Sequence, residues 1–514
     1  MMGGMQTIIE VDSRLRVRTT DLPAEVVERL RVEFTHDNPM HEKLKRLGLK
    51  GPALYREPKT IASCRYDGEW MTFPRGGIGR LRAVFEEFGI ARRIVDNRID
   101  GDGPRGIPRH RVVLRDYQET IVEEAMRVQN CVVRAPTGSG KTTAMLALAS
   151  RLDLPTLVIV WTGGLLDQWV RRAVAELGLT EDEVGIIGGG THRIRPLTIG
   201  MQQSLVKHTG RIASTFGVVI ADELQRFAAS TFFECIDRLP ARYRIGVSAD
   251  ERRKDRKQFL IYDAFGDIAV DIDQDDLVAQ GVVHDVEVRV VPTDFTSDWY
   301  DDLQARVRDA EKRARDDDVP MSQSLVKERL LAFDKLVEDM MTDPRRAALS
   351  VELAASEVAA GEQVVMMSHR REHCRRLDAD LSARHVRCGL MLGGDDDEYN
   401  RTLHALLDGS LRAAAGTYQA IGQGIDLPSV GVGVCCSPIA NSRDGRSFFK
   451  QVRGRLCRRD DATGKQGARI YYLLDRAVYG LEPLRNLCRW NRRVVMRDGD
   501  EWVDAREWLK EVER

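Results

Sequence analysis

From about residue 111 onward, short apolar runs alternate with amphipathic stretches. The runs NCVVRA (130–135), TLVIVW (156–161), LTIGM (197–201), FGVVIADE (216–223) and RIGVSA (244–249) are strand candidates. After residue 361 the texture returns in EQVVMMSH (362–369), VRCGLML (386–392), LRAAAGTY (411–418), VGVGVCCSP (430–438) and ARIYYLL (468–474). Strands alternating with helices predict a parallel sheet covered on both faces. Between the first two runs, KTTAMLALASRL sets Met145, Leu148, Ala149 and Leu152 at helical spacing. The expected fold class is therefore α/β, with two tandem parallel-sheet domains behind a small mixed α+β N-terminal domain. The expected boundaries are 1–110 for the N-terminal domain, 111–295 and 346–480 for the α/β domains, 296–345 for a connector and 481–514 for a helical tail. DNRIDGDGPRGIPRHR, rich in Gly, Pro and charge, reads as the linker after the first. The interleaved signs of RVRDAEKRARDDD predict a solvated helix in the connector.

Composition narrows the class. With 514 residues, 43% hydrophobic and 31% charged, the chain has room for several globular cores. The net charge of −1 gives no overall attraction to polyanions, so any nucleic-acid contact must use local basic patches. None of the nine cysteines forms a C-x-x-C pair, which argues against zinc and for reduced thiols. Cys435 and Cys436 lie in an apolar run and are expected in the core. No run is long enough to span a bilayer and no signal-peptide pattern opens the chain, so the cytoplasm is expected and a membrane partner is not.

The chemistry lies in three places. APTGSGKT (135–142) follows a strand and opens a helix, the setting a phosphate-binding loop needs. Thr137, Gly138, Ser139 and Gly140 would turn the backbone so that its N–H groups face phosphates, at the positive end of a helix. Lys141 would reach the outer phosphates of an NTP, and the Thr142 hydroxyl would bind Mg²⁺. Ala135 stands where the generic motif begins with glycine. VVIADEL (218–224) ends an apolar strand in two carboxylates: Asp222 would hold Mg²⁺, and Glu223 would orient and deprotonate the attacking water. In LRDYQ (114–118) the Gln118 amide could match the N6 and N7 edge of adenine, which would choose ATP.

In order along the chain, LRDYQ, APTGSGKT, VWTGGLLDQW, DELQ, GVSAD, GTYQAIGQGIDLP and QVRGRLCRR resemble the motif set of the superfamily 2 helicases. The likeness spans about residues 111–480. It is strongest to the DNA-repair and phage-recombination branch, DEAD/DEAH-like in its motifs. The resemblance implies two RecA-like domains with ATP between them. Q-x-x-G-R-x-x-R falls on Gln451, Gly454, Arg455 and Arg458, so Arg455 and Arg458 look like arginine fingers for the γ-phosphate. It places Gly424 and Asp426 near the nucleotide. Thr162 and Gly163, Arg370 and Arg371 in SHRREH, and Thr417 look like nucleic-acid backbone contacts. Gln225 stands where the family often has His, and Asp250 where it has a hydroxyl.

The implied activity is an ATP-dependent DNA helicase or duplex translocase, with DNA as partner and RNA less favoured. The alternatives are an RNA helicase and a nucleotide-dependent clamp without unwinding. PRGGIGR (74–80) ahead of an amphipathic helix could seat a phosphate through Arg75 and Arg80. In the tail, RNLCRWNRRVV with Trp502 and Trp508 allows either packing on the second α/β domain or a grip on nucleic acid.

Overall fold

The computed structural model describes residues 6–46, 57–227, 230–249, 255–316, 321–393, 396–422, 427, 429–439, 443–458, 465 and 467–513. Asp250, Gly424 and Asp426 lie outside the described residues, as does the side chain of Gln451. The chain forms two compact units, one built largely from residues before Asp275 and one from Asp275 onward.

The first unit begins with a five-stranded sheet and a separate pair. The strands are β1 (Thr7–Val11), β2 (Arg14–Arg18), β3 (Thr35–Asp37), β4 (Thr60–Ala62), β5 (Arg65–Tyr66), β6 (Trp70–Pro74) and β7 (Arg92–Asp96). The larger sheet has the order β5-β6-β2-β1-β7, antiparallel except where β1 meets β7, and β3 pairs with β4. Period-2 alternation puts Ile9, Leu15, Val17, Met71 and Phe73 on one face. There they pack with Leu30, Leu81 and Phe85 from the helices Ala24–Glu33 and Ile78–Glu87.

The larger part of the unit is an eight-stranded sheet: β8 (Asn130–Arg134), β9 (Thr156–Val160), β10 (Gly185–Gly188), β11 (Thr191–Arg193), β12 (Leu197–Met201), β13 (Val218–Asp222), β14 (Tyr243–Ser248) and β15 (Ile268–Asp271). Its order is β11-β10-β12-β9-β13-β14-β8-β15. Only β11 runs antiparallel. Both faces are buried, which is why these strands read as unbroken apolar runs. Val158, Val160 and Ile220 face the helices Lys141–Leu152 and Gly163–Leu177. Leu157, Ile159 and Val219 face a second core that includes Phe216, Phe232 and Phe265.

PRGGIGR does not seat a phosphate; it fastens the small sheet to the large one. Arg75 is 2% exposed and donates to Asn130 Oδ1 (2.9 Å), Ala241 O (2.6 Å) and Asp12 O (3.3 Å). A methyl group on Gly76 would overlap the backbone of Tyr262, Asp263 and Gly266, so only glycine fits there. Arg80 and Ser63 bond Asp263, and the His36 ring stacks on Phe259 with centroids 4.1 Å apart. The linker is an extended strap on the same unit: Ile99 bridges to Ala241, and Asp153 Oδ1 accepts from the N–H groups of Gly106 and Ile107.

The second unit carries another eight-stranded sheet: β16 (Val286–Pro292), β17 (Val364–Ser368), β18 (Cys388–Met391), β19 (Ala413–Thr417), β20 (Val432–Cys435), β21 (Ala468–Leu474), β22 (Val494–Asp498) and β23 (Glu501–Asp504). The order is β18-β19-β17-β20-β21-β16-β22-β23, parallel except for β23. Two tandem parallel sheets of this kind are the expected RecA-like pair.

Two expected boundaries shift. Residues 286–292 were assigned to the first α/β domain, but β16 lies between β21 and β22 in the second sheet. The charged stretch after it, helices Asp298–Asp316 and Gln323–Thr342, is therefore an excursion within the second unit. The tail 481–514 is not purely helical. β22 and β23 extend the sheet, with helices Glu482–Trp490 and Ala505–Val512 packed beside them. Trp502 and Trp508 pack against this unit: Arg289 lies 5.2 Å from the Trp502 ring and Arg476 5.7 Å from that of Trp508. Cys435 and Cys436 are buried, as expected.

Candidate active site

In a parallel sheet all strands end on one edge. In the first unit the carboxyl ends of β8, β14, β13 and β9 lead into the loop 135–140, Ser248, the Asp222–Glu223 pair and Thr162. The loop and the acidic pair are two strands apart, about 10 Å. Crevices outside such strand ends are where α/β sheets bind ligands.

The loop needs its glycines. Gly138 and Gly140 have φ of 89° and 76°, in the left-handed region, and Gly140 caps the helix Lys141–Leu152. Lys141 Nζ folds into the loop, donating to Ala135 O (2.9 Å) and Pro136 O (3.0 Å). Ser139 is buried, and its hydroxyl has no hydrogen-bond partner among the described residues. Thr137 and Thr142 are half-buried beside it.

Gln118 sits on this loop with its amide engaged. Its Oε1 accepts from Arg115 N (3.0 Å), and its Nε2 donates to Ser139 O (3.1 Å) and Gly140 O (3.4 Å). Tyr117 adds a bond from its hydroxyl to Ser139 O at 2.7 Å. The Gln118 amide, expected at the adenine, braces the phosphate loop in this structure.

Asp222 is 7% exposed. Burial and then the neighbouring Glu223 charge push its carboxyl up to about 6, against the Trp169 indole N–H, the Lys141 charge and the Glu223 backbone N–H. Trp169 Nε1 donates to Asp222 Oδ2 at 2.9 Å. Glu223 has φ of 57° without being glycine, a costly conformation of the kind that clusters at functional sites. Its carboxylate accepts from Gln225 Nε2, and Gln225 Oε1 accepts from the Ser248 hydroxyl. Gln225 thus ties the end of β13 to the end of β14.

Sequence reasoning missed the helix that joins these parts. Helix Gly163–Leu177 starts at Thr162, whose Oγ1 accepts from Leu165 N (3.3 Å). It then supplies Trp169 to Asp222 and Arg172 to Thr143 and to Glu176 (2.5 Å). His110 Nε2 lies 3.0 Å from Glu176 Oε2 in the same buried cluster. One rigid helix therefore connects Thr162 to both halves of the phosphate chemistry. A buried indole needs an acceptor, so Trp169 at apolar spacing beside Leu166 and Ala173 was the available clue. Gly163 and Gly164 are exposed, with nothing within 4 Å of an added methyl, so a backbone can approach the helix start closely.

In the second unit β17 and β19 end side by side, placing Ser368 next to Thr417. Thr417 Oγ1 accepts from Ala420 N at 3.1 Å. Arg370 is exposed and paired with Asp334 at 2.9 Å, and Arg371 is exposed at the first turn of helix Arg371–Ala383. QVRGRLCRR is divided in role. Arg453 is buried and donates to Trp490 O (3.4 Å) and Asp275 Oδ1 (3.3 Å). Arg455 is buried with Nη2 on Gly422 O (2.9 Å), and Arg458 is half-buried at a bridge to Val283.

This geometry coincides with what the chain is similar to. Residues 111–252 match the family model described as type III restriction enzyme, res subunit. "Probable helicase D10" of Escherichia phage T5 is 30% identical over 42% of this chain and 45% of that protein. "DNA 3'-5' helicase XPB" of Mycobacterium tuberculosis is 28% identical over 47% of this chain and 46% of that protein. "DNA 3'-5' translocase XPB2" of Sulfurisphaera tokodaii is 23% identical over 70% of this chain and 81% of that protein. The match spans less than half the length of the first two relatives. The matched residues contain the loop, Trp169, Asp222, Glu223, Gln225 and Ser248.

Proposed function

We propose that the chain hydrolyses ATP with Mg²⁺ and uses the cycle to move along, or remodel, DNA. The observation that carries the reading is the common edge. The lysine loop, the Asp222–Glu223 pair and the open helix start at Thr162 all leave the same sheet on the same side, and Trp169 links the last two.

The site suits a magnesium nucleotide. The Ser139 hydroxyl is buried without a partner, and Asp222 is a buried acid beside a second acid, which a divalent cation would relieve. Thr142 and Asp222 would hold the ion. The nucleotide would supply the phosphoryl bond whose hydrolysis drives the cycle. Lys141 neutralises phosphate charge once it leaves the Ala135 and Pro136 carbonyls. Glu223 orients and accepts a proton from the attacking water. Gln225 holds Glu223 against Ser248, so the position of the base follows the end of β14. Gln118 and Tyr117 keep the loop in shape, and the roles proposed for Arg455 and Arg458 are stabilisation of phosphate charge. Thr162 and Gly163 in the first unit, and Thr417, Arg370 and Arg371 in the second, are the proposed backbone contacts. The names of the relatives favour DNA over RNA.

The test is steady-state ATPase without polymer and with single-stranded, forked and duplex DNA and RNA. DNA should stimulate turnover more than RNA does. Lys141→Ala should abolish it, and Arg458→Ala should retain ATP binding while losing about 10³-fold or more in rate. Stimulation by RNA alone would overturn the DNA assignment. Unchanged turnover in Lys141→Ala would overturn the site.

A further inference from the structure

Helix Gly163–Leu177 carries a row of hydrogen-bonding side chains into a core that is otherwise apolar. Trp169, Arg172 and Glu176 are three and four residues apart, so they share one helix face. Trp169 is 2% exposed and Glu176 5%. Leu166, Val170, Ala173 and Leu177 of the same helix pack with Val158, Val160 and Ile220 of the sheet.

The row reaches both elements that carry the proposed Mg²⁺ holders. Asp222 ends β13, and Trp169 Nε1 donates to its Oδ2 at 2.9 Å. Thr142 lies in the first turn of helix Lys141–Leu152, and Oγ1 of the adjacent Thr143 accepts from Arg172 Nη2. Glu176 closes the row. Its Oε1 lies 2.5 Å from Arg172 Nε and accepts from the Thr143 hydroxyl (3.4 Å), while Oε2 faces His110 Nε2 at 3.0 Å.

The carboxylate torsion of an aspartate is broad, so a single hydrogen bond leaves it room to pivot. Asp222 has one donor on each oxygen: Trp169 on Oδ2 and the Glu223 backbone N–H on Oδ1, both at 2.9 Å. The second of these comes from the same strand end. The first comes from another element, on a ring packed in the core. A carboxylate can accept at further lone pairs, so both bonds leave it able to face a cation or its water shell. A buried indole needs an acceptor, and a backbone carbonyl would serve. Here the acceptor is the strand-end acid itself.

We infer that Trp169 is a positioning residue for the metal site: its N–H holds the Asp222 carboxylate in one orientation for Mg²⁺, and Arg172 keeps the helix that carries it in register with the helix of Thr142. The inference rests on the proposed Mg²⁺-dependent hydrolysis and adds to it a residue that acts through Asp222. Partners that orient a metal ligand commonly matter about 10–100-fold in metal affinity.

The test is calorimetric binding of a non-hydrolysable ATP analogue to the whole protein, in EDTA and across a Mg²⁺ titration. Trp169→Phe removes the N–H and keeps an aromatic ring. The Mg²⁺ concentration that gives half of the gain in affinity should rise about tenfold, with the affinity in EDTA held within about twofold of wild type. In an Asp222→Asn background the same change should bring no further rise. Arg172→Met, at a partly exposed position, should raise the Mg²⁺ requirement by a smaller factor, and it carries the test if the melting midpoint shows Trp169→Phe unfolded. An unchanged Mg²⁺ requirement in the folded variants overturns this inference alone. So does an equal loss of affinity with and without Mg²⁺ in Trp169→Phe, which would mean that the indole only packs. A wild-type chain whose nucleotide affinity ignores Mg²⁺ overturns the proposed function as well.

Discussion

The least exposed arginines among the described residues lie in two places that bury them differently. At the joint between the N-terminal sheet and the first α/β sheet, Arg75 and Arg244 are 2% and 0% exposed and are met by oxygen dipoles. Arg75 has the contacts described above; Arg244 donates to Ala264 O (3.0 Å), Leu239 O (2.9 Å) and Ser13 O (3.1 Å). Burial, and then the charge of Arg244, hold Arg75 well below the usual guanidinium range; burial brings Arg244 down to about 10. At the strand ends of the second unit, Arg346 is equally buried but lies on Asp475, with Nε 3.0 Å from Oδ1, and it also donates to Cys436 O. Burial alone would lower Arg346; Asp475 outweighs it and raises the group. Carbonyls satisfy a guanidinium's donors without cancelling its charge, whereas a carboxylate does both.

The sharpest way to break this comparison is to remove the counter-charge. Asp475→Ala should leave Arg346 buried and unpaired and cost about 3–5 kcal/mol. In calorimetry the melting of the second unit should fall by roughly 10 °C. Replacing Arg346 and Asp475 together by apolar residues of similar volume should restore much of that loss. The matching change at the joint, Arg75→Met, should cost less, about 2 kcal/mol, because it orphans carbonyls but also removes a charge that repels Arg244. It removes as well a buried Nη2 that has no partner among the described residues. Limited proteolysis of residues 97–110 would report the loosened joint. A larger loss from Arg75→Met than from Asp475→Ala would reverse the argument.

The same contrast explains what the sequence could and could not tell. The apolar runs of both sheets were visible because burial on two faces demands them. The lysine loop and the Asp-Glu pair were visible because phosphate chemistry fixes residue type and spacing. PRGGIGR was misread because arginine beside glycine has one appearance and two uses. Glycine admits a phosphate, or it admits another strand's backbone, and only the fold places Gly76 against Tyr262 and Gly266. β16 was assigned to the wrong domain because a strand's sheet is chosen by its hydrogen-bonding neighbours, and its neighbour β21 pairs with it across 182 residues, Val286 with Ala468. Gln118 was identified as a site residue, but its partners were not, since an amide can read a base or brace a loop. Trp169 went unnoticed because at helical apolar spacing an indole looks like core.

The smallest expected effect concerns whether Arg346 keeps its charge. His373 is 4% exposed, with Nδ1 2.8 Å from the Ser368 hydroxyl. Burial, and then the positive charges of Arg346 and Arg376, bring its imidazole down to about 3 from an ordinary 6.5. The folded protein therefore holds it neutral, while the unfolded chain takes up a proton below about pH 6.5. Stability from this group is fully present above that value and is lost as pH falls toward 3. Between pH 7 and 5.5 the wild type should lose about 1 kcal/mol more than His373→Asn, whose amide can also share a hydrogen bond with the Ser368 hydroxyl. Parallel stability curves for the two proteins would mean that His373 protonates freely in the fold. An Arg346 charge left standing beside Asp475 could not then be part of its surroundings. Divergence that grows when Asp475 is also changed to Asn would show the counter-charge at work, because an unbalanced Arg346 repels an imidazolium more strongly.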